Sequence, residues 1–542
     1  VLRLATPDEM RQMDRAAAER YGVSGLVLME NAGAAVARAA FRVAVGAGRC
    51  RGLGAHEPRV CIFAGRGNNG GDGFVAARHL AGSGARVGVY VLGDPSRVAG
   101  DARVNLDAML KSGIRAVSLS DEAAWTLARA DLAKADAAID AILGTGARGA
   151  PSPEAARAIS LMNELPVPVV AVDIPSGVDA GTGAMPGACV VAHTTVTLAL
   201  AKTGLLTYPG AACVGRLIID GIGMPAALVE SSAIQTSLIT PDDVRAALPA
   251  RWPDAHKGDF GRLLIVAGSA GMSGAASLAA MGALRSGAGL VHLSVPAEVA
   301  VEVSARHAEV MVHDRAAERA PEAAASAVLE MAAQCQAVVA GPGMSCSEDA
   351  SAIVEALIAN CRVPLVLDAD AVNVMAGRPE ALGRALAEVV LTPHPGELGR
   401  LLGVGADEIN RDRLGWARRA SEETGATVVL KGARTVVADA RGQAYVNPTG
   451  NPGMATAGVG DVLAGVAGSL RAQGLGGLAA GRCAAYIHGL AGDLAARERG
   501  IDGIIAGDVL EHLPEAFRSV REQAAMLWGM MPLEFSYELE GR

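Results

Sequence analysis

Residues 450–461 read Gly-Asn-Pro-Gly-Met-Ala-Thr-Ala-Gly-Val-Gly-Asp and run into the apolar, helix-compatible stretch Val462-Leu463-Ala464-Gly465-Val466. A glycine-rich turn exposes backbone N–H groups, and a helix N-terminus beside it adds a positive dipole end, so the pair forms a cradle for an anion. A carboxylate such as Asp461 repels an anion bound in the cradle, so its placement there points to a part in the chemistry. A base next to a phosphate site serves phosphoryl transfer.

A second reactive constellation lies in the first half. Strand-like residues 59–64 lead into Gly65-Arg66-Gly67-Asn68-Asn69-Gly70-Gly71-Asp72-Gly73, and a helical pattern follows from Phe74 to Leu80. A glycine-rich turn from strand to helix is where α/β sheets hold a nucleotide phosphate or ribose, and here amide and carboxylate oxygens are added. Two more strand ends carry matching groups: Ile139-Asp140-Ala141-Ile142-Leu143-Gly144-Thr145-Gly146-Ala147-Arg148-Gly149 and Ala171-Val172-Asp173-Ile174-Pro175-Ser176-Gly177-Val178-Asp179. In an open parallel sheet these ends face one crevice, so Asn69, Asp140 and Ser176 would gather as hard oxygen ligands for an alkali or alkaline-earth ion. Asp173 serves either as an acid/base group or as a turn carboxylate, and Lys202 either as a substrate contact or as a solvated lysine.

In the second half, strand ends at 268–275, 341–343, 367–373, 391–397 and 428–435 each close on small or polar residues. His394 sits between two prolines that stiffen its loop, which favours a ligand contact over core filling. Glu397 approaches a magnesium ion or caps a helix. Lys431 and Thr435 follow a β-run where a lysine meets phosphate as a point charge. Asp370 and Asn373 flank a loop as contacts to substrate or metal-bound water, with Asp368 supporting from the strand.

These groups need strands and turns to position them. Strand-like runs fall at 59–64, 86–92, 137–143, 167–173 and 194–200, then at 262–267, 290–295, 337–340, 364–368, 388–391, 427–430 and 434–438, with Ala-rich amphipathic stretches between. That alternation predicts an α/β chain of two doubly wound domains with parallel sheets. The join falls in the polar segment 230–240, before a fresh helix start at Pro241-Asp242-Asp243, giving domains 1–235 and 236–520 and a tail 521–542. The 542 residues are 51% hydrophobic but 3% aromatic, so the cores are built of Ala, Val and Leu. A net charge of −9 without a polybasic tract argues against a nucleic-acid partner, and charges or Gly/Pro interrupt each apolar stretch before membrane-spanning length. The eight cysteines form no CxxC pair or zinc-spaced cluster, so free thiols in a reducing cytoplasm are expected. The first seven residues carry no secretory pattern.

Leu28-Met29-Glu30-Asn31-Ala32-Gly33, the Asn-Asn-Gly-Gly-Asp-Gly motif and Asp-Ile-Pro-Ser-Gly together resemble the YjeF N-terminal family over about 1–225. The resemblance implies a Rossmann-like domain that epimerises hydrated NAD(P)H, written NAD(P)HX, and binds potassium. Residues Asn68 to Asp72, Gly144 to Gly149 and Asp173 would contact the hydrated nucleotide, and Asn69, Asp140 and Ser176 would hold K+. Lys257-Gly258-Asp259-Phe260-Gly261, Thr392-Pro393-His394-Pro395-Gly396-Glu397 and the 450–461 motif resemble the ribokinase-like NAD(P)HX dehydratases over about 240–515. By that likeness Ala275, Gly343, His394 and Asp461 would bind NAD(P)HX. Lys431, Gly432, Ala433, Arg434, Thr435 and Gly460 would bind the adenine nucleotide. A fused chain is similar to the ADP-using bacterial form, with Mg2+ as the accompanying ion, ATP as the other co-substrate, and a homo-oligomer of four or more copies. Two readings of other classes stand beside it: a vitamin-precursor kinase with a non-catalytic N-terminal binding module, and a nucleotide-sensing scaffold without turnover.

Overall fold

The computed structural model describes residues 2–50, 57–315, 320–522 and 533–535. The described residues form two compact units, one of residues 3–234 with Leu533–Phe535 and one of residues 235–522.

In the N-terminal unit eight parallel strands run in the order Leu533–Phe535, Arg216–Asp220, Thr194–Leu198, Val169–Val172, Ala137–Ala141, Arg59–Ala64, Arg86–Val91, Ala116–Ser118. The chain enters at Arg59–Ala64, proceeds to one edge, then returns to Ala137–Ala141 on the other side. That reversal is a topological switch point, and the carboxyl ends of those two strands part to leave a crevice. Alternate residues of the central strand supply both cores. Val60, Ile62 and Ala64 pack with helices Pro7–Tyr21, Gly25–Cys50, Asn68–Gly82 and Gly100–Lys111. Cys61 and Phe63 pack with helices Glu122–Leu132 and Pro153–Glu164.

The C-terminal unit repeats the plan. Its strands run Met311–Asp314, Leu290–Val295, Arg262–Val266, Ala337–Ala340, Leu365–Leu367, Val389–Leu391, Thr427–Leu430, Val436–Ala438, Ala444–Val446, Thr236–Leu238. The switch point lies between Arg262–Val266 and Ala337–Ala340. Over one face lie helices Ser273–Arg285 and Val459–Ala472, which approach so closely that a Cβ on Gly465 would stand 2.1 Å from the Ala279 carbonyl oxygen.

Three expectations change and one holds. The C-terminal sheet is not wholly parallel: Thr427–Leu430, Val436–Ala438 and Ala444–Val446 pair antiparallel, because turns of a few residues join them and leave no room for a crossover helix. The polar 230–240 segment contains the strand Thr236–Leu238, paired with Ala444–Val446. The helix start after it is present, with Pro241 in the first turn and Thr240 and Asp243 forming a capping box. The 521–542 segment contributes a strand, Leu533–Phe535, beside Arg216–Asp220; the remainder of that segment beyond Glu522 lies outside the described residues.

Candidate active sites

The first site forms at the N-terminal switch point. The turn after Arg59–Ala64 is shorter than its glycines suggest, because helix Asn68–Gly82 begins inside the motif. The glycines are demanded by contact. A Cβ on Gly65 would fall 2.1 Å from the Ile142 carbonyl oxygen, on Gly70 2.0 Å from the Gly65 oxygen, and on Gly73 2.7 Å from the Ala141 Cβ. Turn, helix and neighbouring strand end are pressed together, and Asn68, Asn69 and Asp72 are carried on the first turns of that helix.

They line a cavity of about 690 Å3 together with Gly144, Thr145, Gly146, Ala147 and Asp173. Gly71 turns toward Met29, whose sulfur would lie 2.6 Å from a Cβ there. Arg148 and Gly149 are exposed on the loop outside the cavity lining. Asp14, Arg66, Glu154 and Lys202 join the lining. Asp14 belongs to no motif: it is one polar residue on helix Pro7–Tyr21, and only tertiary packing brings it to the site.

Asp173 is held at φ 64°, a left-handed conformation that costs energy in a non-glycine residue and concentrates at functional positions. Its Oδ1 accepts from Leu198 N at 3.0 Å, from Thr197 Oγ1 at 3.3 Å and from the Lys202 ammonium. Lys202 is 1% exposed and also donates to the Leu198 carbonyl at 2.8 Å and to Thr197 Oγ1 at 3.3 Å. The solvated-lysine reading is therefore wrong; the lysine is the buried counter-charge of Asp173. Burial first, and then the Asp173 charge, raise the Asp72 carboxyl well above the usual range, with Lys202 opposing.

Beneath the cavity, Asn69, Asp140 and Ser176 do come together. Asp140 is fully buried and accepts from Ser176 N at 2.7 Å, Ser176 Oγ at 2.6 Å and Ile142 N at 3.2 Å. Ser176 Oγ accepts from Leu143 N at 2.9 Å, and Asn69 Nδ2 donates to the Leu143 carbonyl at 3.0 Å. Among the described residues no cationic side chain pairs with Asp140, and burial pushes it to about 6 against those hydrogen bonds.

The second site forms at strand ends of the C-terminal unit. Helix Val459–Ala472 starts two residues before Asp461, with Gly458 as its cap at φ 87°. Asp461 therefore rides in the first helical turn. Burial, then Asp368, pushes its carboxyl to about 7, while Lys431 pulls the other way and Asp370 and Glu397 add to the rise. Lys431 Nζ reaches Asp368 Oδ1 at 2.6 Å and Glu397 Oε2 at 3.6 Å, and lies 3.4 Å from where a Gly460 Cβ would stand. Burial works against the Lys431 charge, but Asp368 and Glu397 outweigh it and raise its pKa. Asp368 also accepts from Thr392 Oγ1 at 2.7 Å, and its buried Oδ2 has no partner among the described residues. Asp370 accepts from Ser345 N at 2.8 Å, and Asn373 from Arg400 Nε at 2.9 Å, so these two tie loops together.

His394 and Glu397 cap helix Pro395–Leu402 reciprocally: His394 N donates to Glu397 Oε2 at 2.8 Å, and His394 Nδ1 accepts from Gly396 N at 3.0 Å. The His394 side chain is 49% exposed and its Nε2 lies 3.2 Å from Glu397 Oε1, while Glu397 stays buried beside Lys431. Ala275 and Gly343 are neighbours; a Cβ on Gly343 would lie 2.9 Å from the Ala275 Cβ. Lys431 to Thr435 form the turn of the antiparallel pair, with Gly432 at φ 138° and Arg434 at φ 58°. Thr435 accepts from Asn447 N at 2.9 Å and Arg434 donates to the Pro448 carbonyl, which sets this turn beside the glycine-rich motif. Lys257–Phe260 precede strand Arg262–Val266 and lie at its amino end, away from the carboxyl ends.

Two supports lacked a sequence signal. Asp493 accepts from Gly450 N and Asn451 Nδ2, each at 3.0 Å. His488, held neutral by burial that lowers it to about 4, donates from Nε2 to the Val459 carbonyl at 2.9 Å. Both lie on helix Gly477–Arg499, some thirty residues or more beyond the motif they brace.

Among the described residues, no helix is long and apolar enough to cross a membrane. The family model described as the YjeF-related protein N-terminus matches residues 25–204, and that described as NAD(P)H-hydrate dehydratase matches residues 263–515. The bifunctional NAD(P)H-hydrate repair enzyme Nnr of Moorella thermoacetica is 44% identical over 530 residues, 96% of this chain and 97% of that protein. Its counterpart in Escherichia coli is 36% identical over 509 residues, 93% and 92% of the two chains. A crystal structure of ADP/ATP-dependent NAD(P)H-hydrate dehydratase from Bacillus subtilis aligns at 31% identity and TM-score 0.46, covering 52% of this chain and 98% of that one.

Proposed function

The chain belongs to the bifunctional NAD(P)H-hydrate repair enzymes, and from that we propose that its N-terminal unit interconverts R- and S-NAD(P)HX while its C-terminal unit dehydrates the S epimer with ADP. One observation carries the reading: Asp461, with its pKa near 7, stands at the head of a helix beside Lys431, so a proton acceptor and a phosphate-binding cation share one site.

The C6 hydroxyl of NAD(P)HX leaves poorly as hydroxide. Asp461 accepts its proton as the oxygen attacks the terminal phosphorus of ADP, and AMP departs. The N–H groups at Gly458–Gly460 and Lys431 stabilise the phosphoryl charge. Phosphate then leaves, pushed by the ring nitrogen lone pair, and NAD(P)H is restored. Gly432 to Thr435 lie against the adenine nucleotide, and Ala275, Gly343 and His394 against NAD(P)HX. The unpartnered Asp368 Oδ2 and the Glu397 carboxylate fit Mg2+ and would hold it or its waters, where the ion would supply counter-charge to phosphate.

In the N-terminal unit Asp173 is the base, and Asn68 to Asp72 and Gly144 to Gly149 flank the nucleotide. K+ fits Asn69, Asp140 and Ser176, since a buried carboxylate without a cationic side chain sits among hard oxygens; it would supply counter-charge under the cavity floor. We assign the enzyme to the cytoplasm, consistent with seven free thiols among the described residues, and to a homo-oligomer, which sedimentation equilibrium measures.

The test incubates mixed NADHX epimers with ADP or ATP and Mg2+ and follows NADH absorbance. Conversion of both epimers with stoichiometric phosphate release is expected. A stable phosphorylated product overturns the dehydratase, and stalling after the S fraction overturns the epimerase.

A further inference from the structure

Asp72 reaches the N-terminal cavity in an unusual state. It is 7% exposed, lines the same cavity as Asp173 and Lys202, and makes no hydrogen bond or ion pair among the described residues. Lys202 has no donor left for it. An ammonium has three N–H groups, and these go to Asp173 Oδ1, the Leu198 carbonyl and Thr197 Oγ1. Asp173 is the complement: its Oδ1 is engaged by three donors while Oδ2 is left without one. The two carboxyls thus stand in opposite environments: Asp173 is held by a lysine ammonium, and Asp72 is buried without a partner among the described residues, which favours its protonated form. Separated environments of this kind are how two like groups divide acid and base roles.

The chemistry of the substrate asks for that division, if the unit is the epimerase read above. C6 of NAD(P)HX is a hemiaminal carbon, bonded to the hydroxyl and to N1. Its hydrogen is not acidic, so inversion requires breaking a bond to a heteroatom. Taking the hydroxyl proton lets the C6–N1 bond break: C6 becomes an aldehyde, and the bonding pair goes to N1, which needs a proton.

We propose that Asp72 is the second catalytic residue of epimerisation, protonating N1 as the Asp173 carboxylate removes the hydroxyl proton. The aldehyde turns about the C5–C6 bond, N1 attacks its other face, Asp72 recovers the N1 proton, and Asp173 returns its proton to the new hydroxyl. Protons and electron pairs balance, and both carboxyls end as they began. The glycines serve this geometry: Gly70 lies against the Gly65 backbone, Gly71 against Met29 and Gly73 against the Ala141 side chain, which seats the helix that carries Asp72 close to the cavity.

The charged groups facing Asp72 are Asp173 at its strand end, Lys202 beyond Leu198, and Asp14 from the first helix. Since the acid form is required, the epimerisation kcat of the full-length enzyme falls as pH rises through the raised Asp72 pKa. The experiment measures R-to-S conversion of purified R-NADHX by chromatography. In D72N the expected loss of kcat is about 100-fold or more with KM within about threefold, and the alkaline limb disappears from the residual profile. Dehydration of S-NADHX by the same variant, in the other unit, stays at the wild-type rate and reports an intact protein. A kcat within threefold of wild type, a loss confined to KM, or an alkaline limb surviving in D72N overturns the proposal. Should D72N not fold, the wild-type profile decides alone: no alkaline decline in kcat, no acid. Wild-type enzyme that does not convert the R epimer at all overturns the epimerase reading itself, a different result from active wild type with undiminished D72N.

Discussion

The two units use the same parts with different wiring. Each places an aspartate proposed here as reactive near the carboxyl ends of parallel strands and near a lysine that pairs with a carboxylate. In the N-terminal unit the lysine pairs directly with the candidate reactive residue: Lys202 bonds Asp173 in a cavity that other carboxyls also line. In the C-terminal unit the lysine belongs to a neighbour: Lys431 pairs with Asp368 at 2.6 Å, and Asp461 is left to rise to about 7. The lysine's choice of partner decides whether the candidate base has its own ion-pair partner or is left to be pushed up to about 7 by burial and neighbouring carboxylates. Reversible isomerisation suits the first. A base that must pick up a proton while phosphate chemistry proceeds, then release it, suits the second.

The comparison breaks most cleanly at Asp461. Replacing it by Asn removes the proton acceptor and leaves the fold, so D461N should lower the dehydration kcat by as much as ~10^4-fold while R/S interconversion proceeds at the wild-type rate. Loss of both activities would mean the sites are not independent. Next comes Lys202→Met. It strands a buried carboxylate, and breaking a buried pair from one side costs about 3–5 kcal/mol. Stepwise denaturation should show the N-terminal unit unfolding earlier by that amount with the C-terminal unit unmoved. A variant as stable as wild type would show that Asp173 does not depend on Lys202 for its charge.

How far the sequence discloses this differs between kinds of residue. The strand ends are legible because β-branched runs ending in Gly, Asp or Asn have few other uses, and so Asp140, Ser176 and Asn69 could be grouped before any coordinates existed. The glycines were legible as a cluster but not in their purpose. In the Asn68–Gly73 segment they are packing contacts of a helix start rather than joints of an open loop, and a one-dimensional pattern does not reveal which atoms will press on a missing Cβ. Asp14, His488 and Asp493 were invisible, since each sits on a helix far along the chain and meets its site only through tertiary packing. Lys202 was ambiguous because burial of a lone lysine depends on a partner 29 residues away. The packing role can be measured: G465A drives a methyl into the Ala279 carbonyl 2.1 Å away, and overpacking of this kind costs about 1–3 kcal/mol. A calorimetric shift confined to the C-terminal unit is expected; an unchanged transition would mean the two helices can part freely.

The smallest effect sharpens the comparison most, because it reads the wiring itself. Asp461 must be ionised to accept a proton, so kcat/KM for dehydration should rise with pH along a limb centred near 7 and fall below it as the carboxyl protonates. Lys431 favours the ionised form and Asp368 opposes it. K431M therefore moves the limb to higher pH, by about one unit or more, and D368N moves it to lower pH. One unit corresponds to about 1.4 kcal/mol. Epimerisation should keep its own profile in both variants, since its proposed base pairs with Lys202 instead. If K431M and D368N shift the limb in the same direction, Asp461 is not the titrating group, and the contrast between a paired and an unpaired aspartate does not explain how one chain runs both reactions.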